Sequence, residues 1–135
     1  MPSFLTYSIL AILLLSISCH HADFPLTQEE KVFLKKLNQR YQDGVRMSHD
    51  YSAIVLKDTM NHKGNFYIEI SGADCHRDQD SLEYESQKIV DELLPILTEK
   101  QFYEKITVSY YDTEHLTEKI SRGTCSVSFE FPLKN

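Results

Sequence analysis

Thr124-Cys125-Ser126-Val127-Ser128-Phe129-Glu130-Phe131 is the stretch on which the fold turns. In an extended chain successive side chains point to opposite faces, so Cys125, Val127, Phe129 and Phe131 share one side and Thr124, Ser126, Ser128 and Glu130 the other. A strand written this way belongs to a sheet that is covered on one face and wetter on the other. Pro132, which has no N–H to give to a ladder, ends it.

Two further stretches repeat the pattern. In Glu104 to Tyr111, Ile106, Val108 and Tyr110 alternate with Lys105, Thr107 and Ser109; in Asn65 to Ser71, Phe66, Ile68 and Ile70 alternate with Tyr67, Glu69 and Ser71. Tyr51 to Asp58, rich in β-branched and aromatic residues, reads as the first strand, with Ile54-Val55-Leu56 marking it as more central. Asn61-His62-Lys63-Gly64 supplies the turn that makes a hairpin of these first two strands. Between the third and fourth strands, Asp112 to Gly123 is polar apart from Leu116 and Ile120, and is expected as a loop or a short extra helix.

The covering layer comes from two helical stretches. Thr27-Gln28-Glu29-Glu30 carries a capping-box signature, and Phe33, Leu34, Leu37, Tyr41 and Val45 follow at helical spacing, with Gly44 as the stop. Lys31, Lys35, Lys36 and Arg40 fall largely on the other side of that helix. A second cap at Asp80-Ser81-Leu82-Glu83 precedes Ile89, Val90, Leu93, Leu94 and Leu97, and Pro95 is expected to kink this helix or restart it as a separate turn. The order α-β-β-α-β-β gives an α+β fold: two helices on one face of a four-stranded, mainly antiparallel sheet. The unit recurs as a pattern only; its halves share no sequence.

Ahead of this domain the chain is apolar. Ile9 to Leu15 is an unbroken hydrophobic run followed by small and polar residues, the build of a secretory signal with cleavage near residues 18–22. Its n-region has no Lys or Arg, a departure from the usual pattern. Residues 1–22 are therefore read as the signal and 23–135 as a single domain, secreted or periplasmic. Leu15-Ser16-Ile17-Ser18-Cys19 also resembles a bacterial lipobox, with Ser16 where a Leu is usual, so Cys19 is the candidate for lipidation and membrane anchoring is expected only through it. Export favours oxidised thiols, and Cys75 and Cys125 are expected to form one disulfide that sets the second and fourth strands side by side and antiparallel.

No motif of catalytic specificity is present. Asp74-Cys75-His76 sets a thiol beside an imidazole, but sequence neighbours rarely face one another productively, and the disulfide reading prevails. Asp74, Asp78, Asp80, Glu83 and Glu85 lack calcium-loop spacing and suit a helix N-terminus instead. The histidines His20, His21, His49, His62, His76 and His115 fall into no ligand pattern; a copper-binding amino terminus at Cys19-His20-His21 would require cleavage after Ser18. No metal, cofactor or catalytic residue is assigned. A net charge of -6 argues against nucleic acid, while the basic strip of the first helix suits an acidic partner or an anionic membrane as a lesser reading.

With 8 Tyr and no Trp, the tyrosines are the more suggestive feature. Tyr51, Tyr67 and Tyr111, with His115 from the 112–123 segment, are the candidate binding surface, because tyrosine gives contact area at little entropic cost. The expected function is that of a small exported binding domain, acting through the outer sheet face and the 112–123 segment on a protein or cell-surface partner. The alternatives are a lipid-anchored envelope component with an assembly role and an enzyme whose active-site residues are dispersed through the sequence.

Overall fold

A computed structural model describes residues 26–42, 44–49, 64–98, 100–117 and 120–134, with the backbone alone described for 113–117 and 120–122. Helix α1 spans Gln28–Arg40 and starts on the capping box: the Thr27 hydroxyl accepts the Glu30 N–H at 3.2 Å, and the Glu30 carboxylate accepts the Thr27 N–H at 2.9 Å. Tyr41 caps the other end and Gln42 turns into the left-handed region at φ 54°. The expected helical stripe through Val45 is thus corrected, because Val45 opens strand β1 (Val45–His49). The Asn38 side chain diverts the chain, accepting the Val45 N–H at 2.8 Å and donating to its carbonyl at 3.3 Å.

Gly44 serves this turn by being small. A Cβ there would collide with the Ser71 carbonyl oxygen, since the chain passes close enough for the Ser71 N–H and hydroxyl both to reach the Gly44 carbonyl, at 2.8 and 2.9 Å. Strand β1 pairs antiparallel with β2 (Gly64–Ser71), from Val45 opposite Ile70 to His49 opposite Phe66. The strand expected at 51–58 lies outside the described residues.

Helix α2 spans Gln79–Leu93 and is capped by Asp78, not by the expected Asp80, which lies in the first turn; the Asp78 carboxylate accepts the Ser81 N–H at 3.1 Å. It closes just before Pro95 in a turn that carries Leu97 into the core. A 3₁₀ turn, Lys100–Phe102, then leads into β3 (Tyr103–Thr117), which returns as β4 (Ile120–Pro132). The expectation of a loop or helix at 112–123 is overturned. The ladder continues past the core, pairing Thr113 with Gly123, Glu114 with Arg122, His115 with Ser121 and Thr117 with Ile120. A two-stranded ribbon needs only its backbone hydrogen bonds, so this stretch carries no apolar alternation by which to recognise it.

The sheet order is β1-β2-β3-β4, with β1–β2 and β3–β4 antiparallel and β2–β3 parallel. The expected neighbourhood of the second and fourth strands is therefore wrong, because β3 lies between them. The connection from β2 through α2 to β3 is a helical crossover, and such a crossover returns the chain parallel to the strand it left. Both helices pack on the same face. Phe33 and Leu37 from α1, and Leu82, Ile89, Val90 and Leu93 from α2, close over Phe66, Ile68, Ile70, Ile106, Val108 and Tyr110. Each fully buried aliphatic side chain of this kind stabilises the fold by about 1.5–3 kcal/mol relative to exposure.

Candidate functional site

On the face turned away from the helices the register assembles rows of polar side chains. Arg46, Glu69, Ser109 and Ser128 form one row; Ser48, Tyr67, Thr107 and Glu130 the next; Ser71, Tyr111 and Ser126 a third. Hydrogen bonds within and beside the rows tie this face together. The Ser109 and Ser128 hydroxyls lie 2.9 Å apart, Lys105 donates to Glu130 at 2.5 Å, and Asn65 donates to the Tyr67 hydroxyl at 3.2 Å. Tyr67 and Tyr111 both stand half-buried on this face, as alternation predicts. Tyr51 and Cys19 lie outside the described residues, and His115 is placed only by its backbone in β3.

A second cluster is internal and was invisible in the sequence. Glu30, 1% exposed, accepts from His49 Nε2 at 3.0 Å, and His49 Nδ1 meets the hydroxyl of the fully buried Tyr103. The His49 ring stacks on Tyr103 at 5.5 Å and meets Phe66 edge-on at 4.8 Å. Burial pushes the Glu30 carboxyl up, but the bonds from His49 and the Thr27 N–H outweigh it and hold it below its ordinary value. The carboxylate–imidazole–hydroxyl order is that of a proton relay. Its hydroxyl end is enclosed, and its contacts fasten α1, β1 and β3 together. Its members are 19 and 54 residues apart in the chain, a separation no local motif reports.

A third cluster sits at the other end of the helices. Tyr41 donates its hydroxyl to Glu85, which also receives Arg77 at 3.1 Å. Burial, and after it the Glu85 carboxylate, raises the Tyr41 phenol well above its ordinary value. Beside it the Ser86 hydroxyl, which donates to the Leu82 carbonyl at 2.8 Å, lies 3.1 Å from the Tyr110 hydroxyl.

The remaining candidates are structural. Cys75 and Cys125 pair as a disulfide, with Cα atoms 6.1 Å apart. It ties the loop after β2 across β3 to β4, next to Gly72, whose left-handed conformation (φ 70°) lets its N–H reach the Tyr111 carbonyl at 3.0 Å. The acidic stretch supplies Asp78 as a cap and Glu85 as an ion-pair partner. Of the basic strip on α1, Lys36 and Arg40 are spent on Glu92 of α2, at 2.7 and 3.1 Å. That pairing rims a groove of about 520 Å³ between the helices, floored by Val32, Phe33 and Ile96.

Among the described residues no group of His, Cys, Asp and Glu is arranged to hold a metal ion, and no helix is long and apolar enough to cross a membrane. Fold and surface define a small two-layer α+β domain with a mixed sheet and one polar sheet face. Comparison with protein-family models, curated proteins and solved structures finds no match to this chain.

Proposed function

We propose that this chain is an exported, disulfide-bonded binding domain whose contact surface is the outer face of the sheet, continued by the β3–β4 ribbon, and whose partner is a protein. The observation that carries the reading is the segregation of the two faces. Both helices lie on one side, and the other carries contiguous rows of polar side chains, chiefly Ser and Tyr with Arg46, Glu69 and Glu130 among them, that no described helix covers. Tyrosine and serine on rigid strands make contact area and adaptable hydrogen bonds at little entropic cost. The disulfide beside the start of the ribbon restrains it against the body of the domain, which lowers the ordering cost of binding.

The test compares capture of a partner from the native compartment by the oxidised mature chain, by a Tyr67→Ser/Tyr111→Ser variant and by a helix-side Val32→Ser variant. Loss of about tenfold or more in the tyrosine variant alone supports the reading. Equal capture by all three, with melting temperatures unchanged, overturns it.

A further inference from the structure

The sheet ends on β4, and β4 is an unusual edge. Leu133 donates its N–H to the Glu104 carbonyl at 2.8 Å, so in this antiparallel ladder the alternate residues Phe131, Phe129 and Val127 turn their backbone groups toward β3. Ser126, Ser128 and Glu130 turn theirs outward, and among the described residues no strand pairs with that edge. Natural edges are blunted by shortness, lysine, proline, bulges or inward-pointing charge. The other edge, β1, has the first of these, being only 5 residues long. From Cys125 to Phe131 there is no lysine and no proline, and the single charge, Glu130, lies on the outer face. The bulge between Asp112 and Thr113 and the proline at 132 bound this flat stretch without interrupting it. Its inner-face residues, Val127, Phe129 and Phe131, are only half-buried, whereas their counterparts Ile106, Val108 and Tyr110 on β3 are fully buried.

We infer that β4 pairs with β4 of a second copy of this chain, antiparallel about a two-fold axis at Ser128. That residue lies midway between Cys125, the first residue past the bulge at Thr124, and Phe131, the last residue before Pro132. The pairing is self-complementary. Ser126 faces Glu130, Cys125 faces Phe131, Val127 faces Phe129 and Ser128 faces itself, so no like charges meet and the half-buried apolar row is covered from the side. An unrelated peptide would satisfy the edge hydrogen bonds equally. The symmetric match of side chains about Ser128 selects a second copy.

Sedimentation equilibrium of the oxidised mature chain tests this, together with a Ser126→Pro variant, which removes one outward N–H from each copy and none from the β3 ladder. A dimer whose association weakens about tenfold or more in the variant is expected. Hydrogen exchange on the unmodified chain provides a readout that does not depend on the variant folding: the amides of Ser126, Ser128 and Glu130 should gain protection as concentration rises. A chain that stays monomeric at the highest concentration reached, a dimer indifferent to Ser126→Pro, or exchange at these amides that does not depend on concentration overturns the inference.

Discussion

Glu30 and His49, 19 residues apart along the chain, meet at 3.0 Å inside the molecule and lock the first turn of α1 to the last residue of β1. One carboxylate thus completes the helix cap and anchors a buried imidazole. Glu30→Ala removes the carboxylate half of the capping box, leaving the Thr27 hydroxyl on the residue-30 N–H, and costs about 1–3 kcal/mol more by leaving the His49 N–H unpaired. Glu30→Gln keeps the cap and is expected to cost roughly half as much in urea denaturation.

The pH dependence of that contact has a definite sign. Because the Glu30 carboxyl is held below its ordinary value of 4.5, its stabilisation is fully present above that pH and is lost as pH falls through the folded-state value. Denaturation curves between about pH 7 and about pH 3 should therefore fall more steeply for the native chain than for Glu30→Gln. Parallel curves would remove the charge from the account.

Tyr41 and Tyr110 are both raised above the ordinary phenol value of 10.0, each chiefly by burial, with the Glu85 carboxylate adding to it. Ultraviolet titration should show these two ionising above the ordinary phenol range. Stability should fall as pH rises above about 10, since the unfolded chain then releases protons that the folded one retains. Glu85→Gln should bring the Tyr41 transition down.

Reduction of Cys75–Cys125 releases a loop with a sequence separation of 50, worth up to about 4 kcal/mol in the chain-entropy account. The melting temperature of the oxidised protein should drop on reduction, and a Cys75→Ser/Cys125→Ser variant should not respond to reductant. No drop would show that the bridge restrains nothing the fold does not already hold.

Phe66 and Phe129 carry the same side chain on the inner face but under different cover, fully buried on β2 and half-buried on β4. Phe66→Ala should cost about 3–5 kcal/mol and Phe129→Ala, measured at low protein concentration, markedly less. Equal costs would mean that the helices shield β4 as well as they shield β2.

How much of this was legible depended on range. Capping of α1 at Thr27, the period-two alternation of β2, β3 and β4, and the helical stripes of Phe33–Leu37 and Ile89–Leu93 are properties of neighbouring residues, and each element contains its pattern, although α2 caps at Asp78 instead of Asp80 and β3 and β4 run past theirs. Val45 was drawn into the helix because it keeps helical spacing from Tyr41. The Asn38 side chain, clasping the Val45 backbone, together with the left-handed Gln42 and the close approach at Gly44, turns the chain into a strand there. The polar ribbon at 113–123 gave no sign because backbone pairing alone sustains it.

By itself, then, the sequence determined the class, α+β with one covered sheet face, and it nominated the cysteine pair and the two outer-face tyrosines, Tyr67 and Tyr111. Tertiary structure alone decided that β3 enters between β2 and β4, that Glu30, His49 and Tyr103 converge, and that β4 is, among the described residues, a long open edge. The physical reason is that periodicity is written into adjacent side chains, whereas strand order and buried polar contacts depend on how distant segments satisfy their hydrogen bonds once packed together.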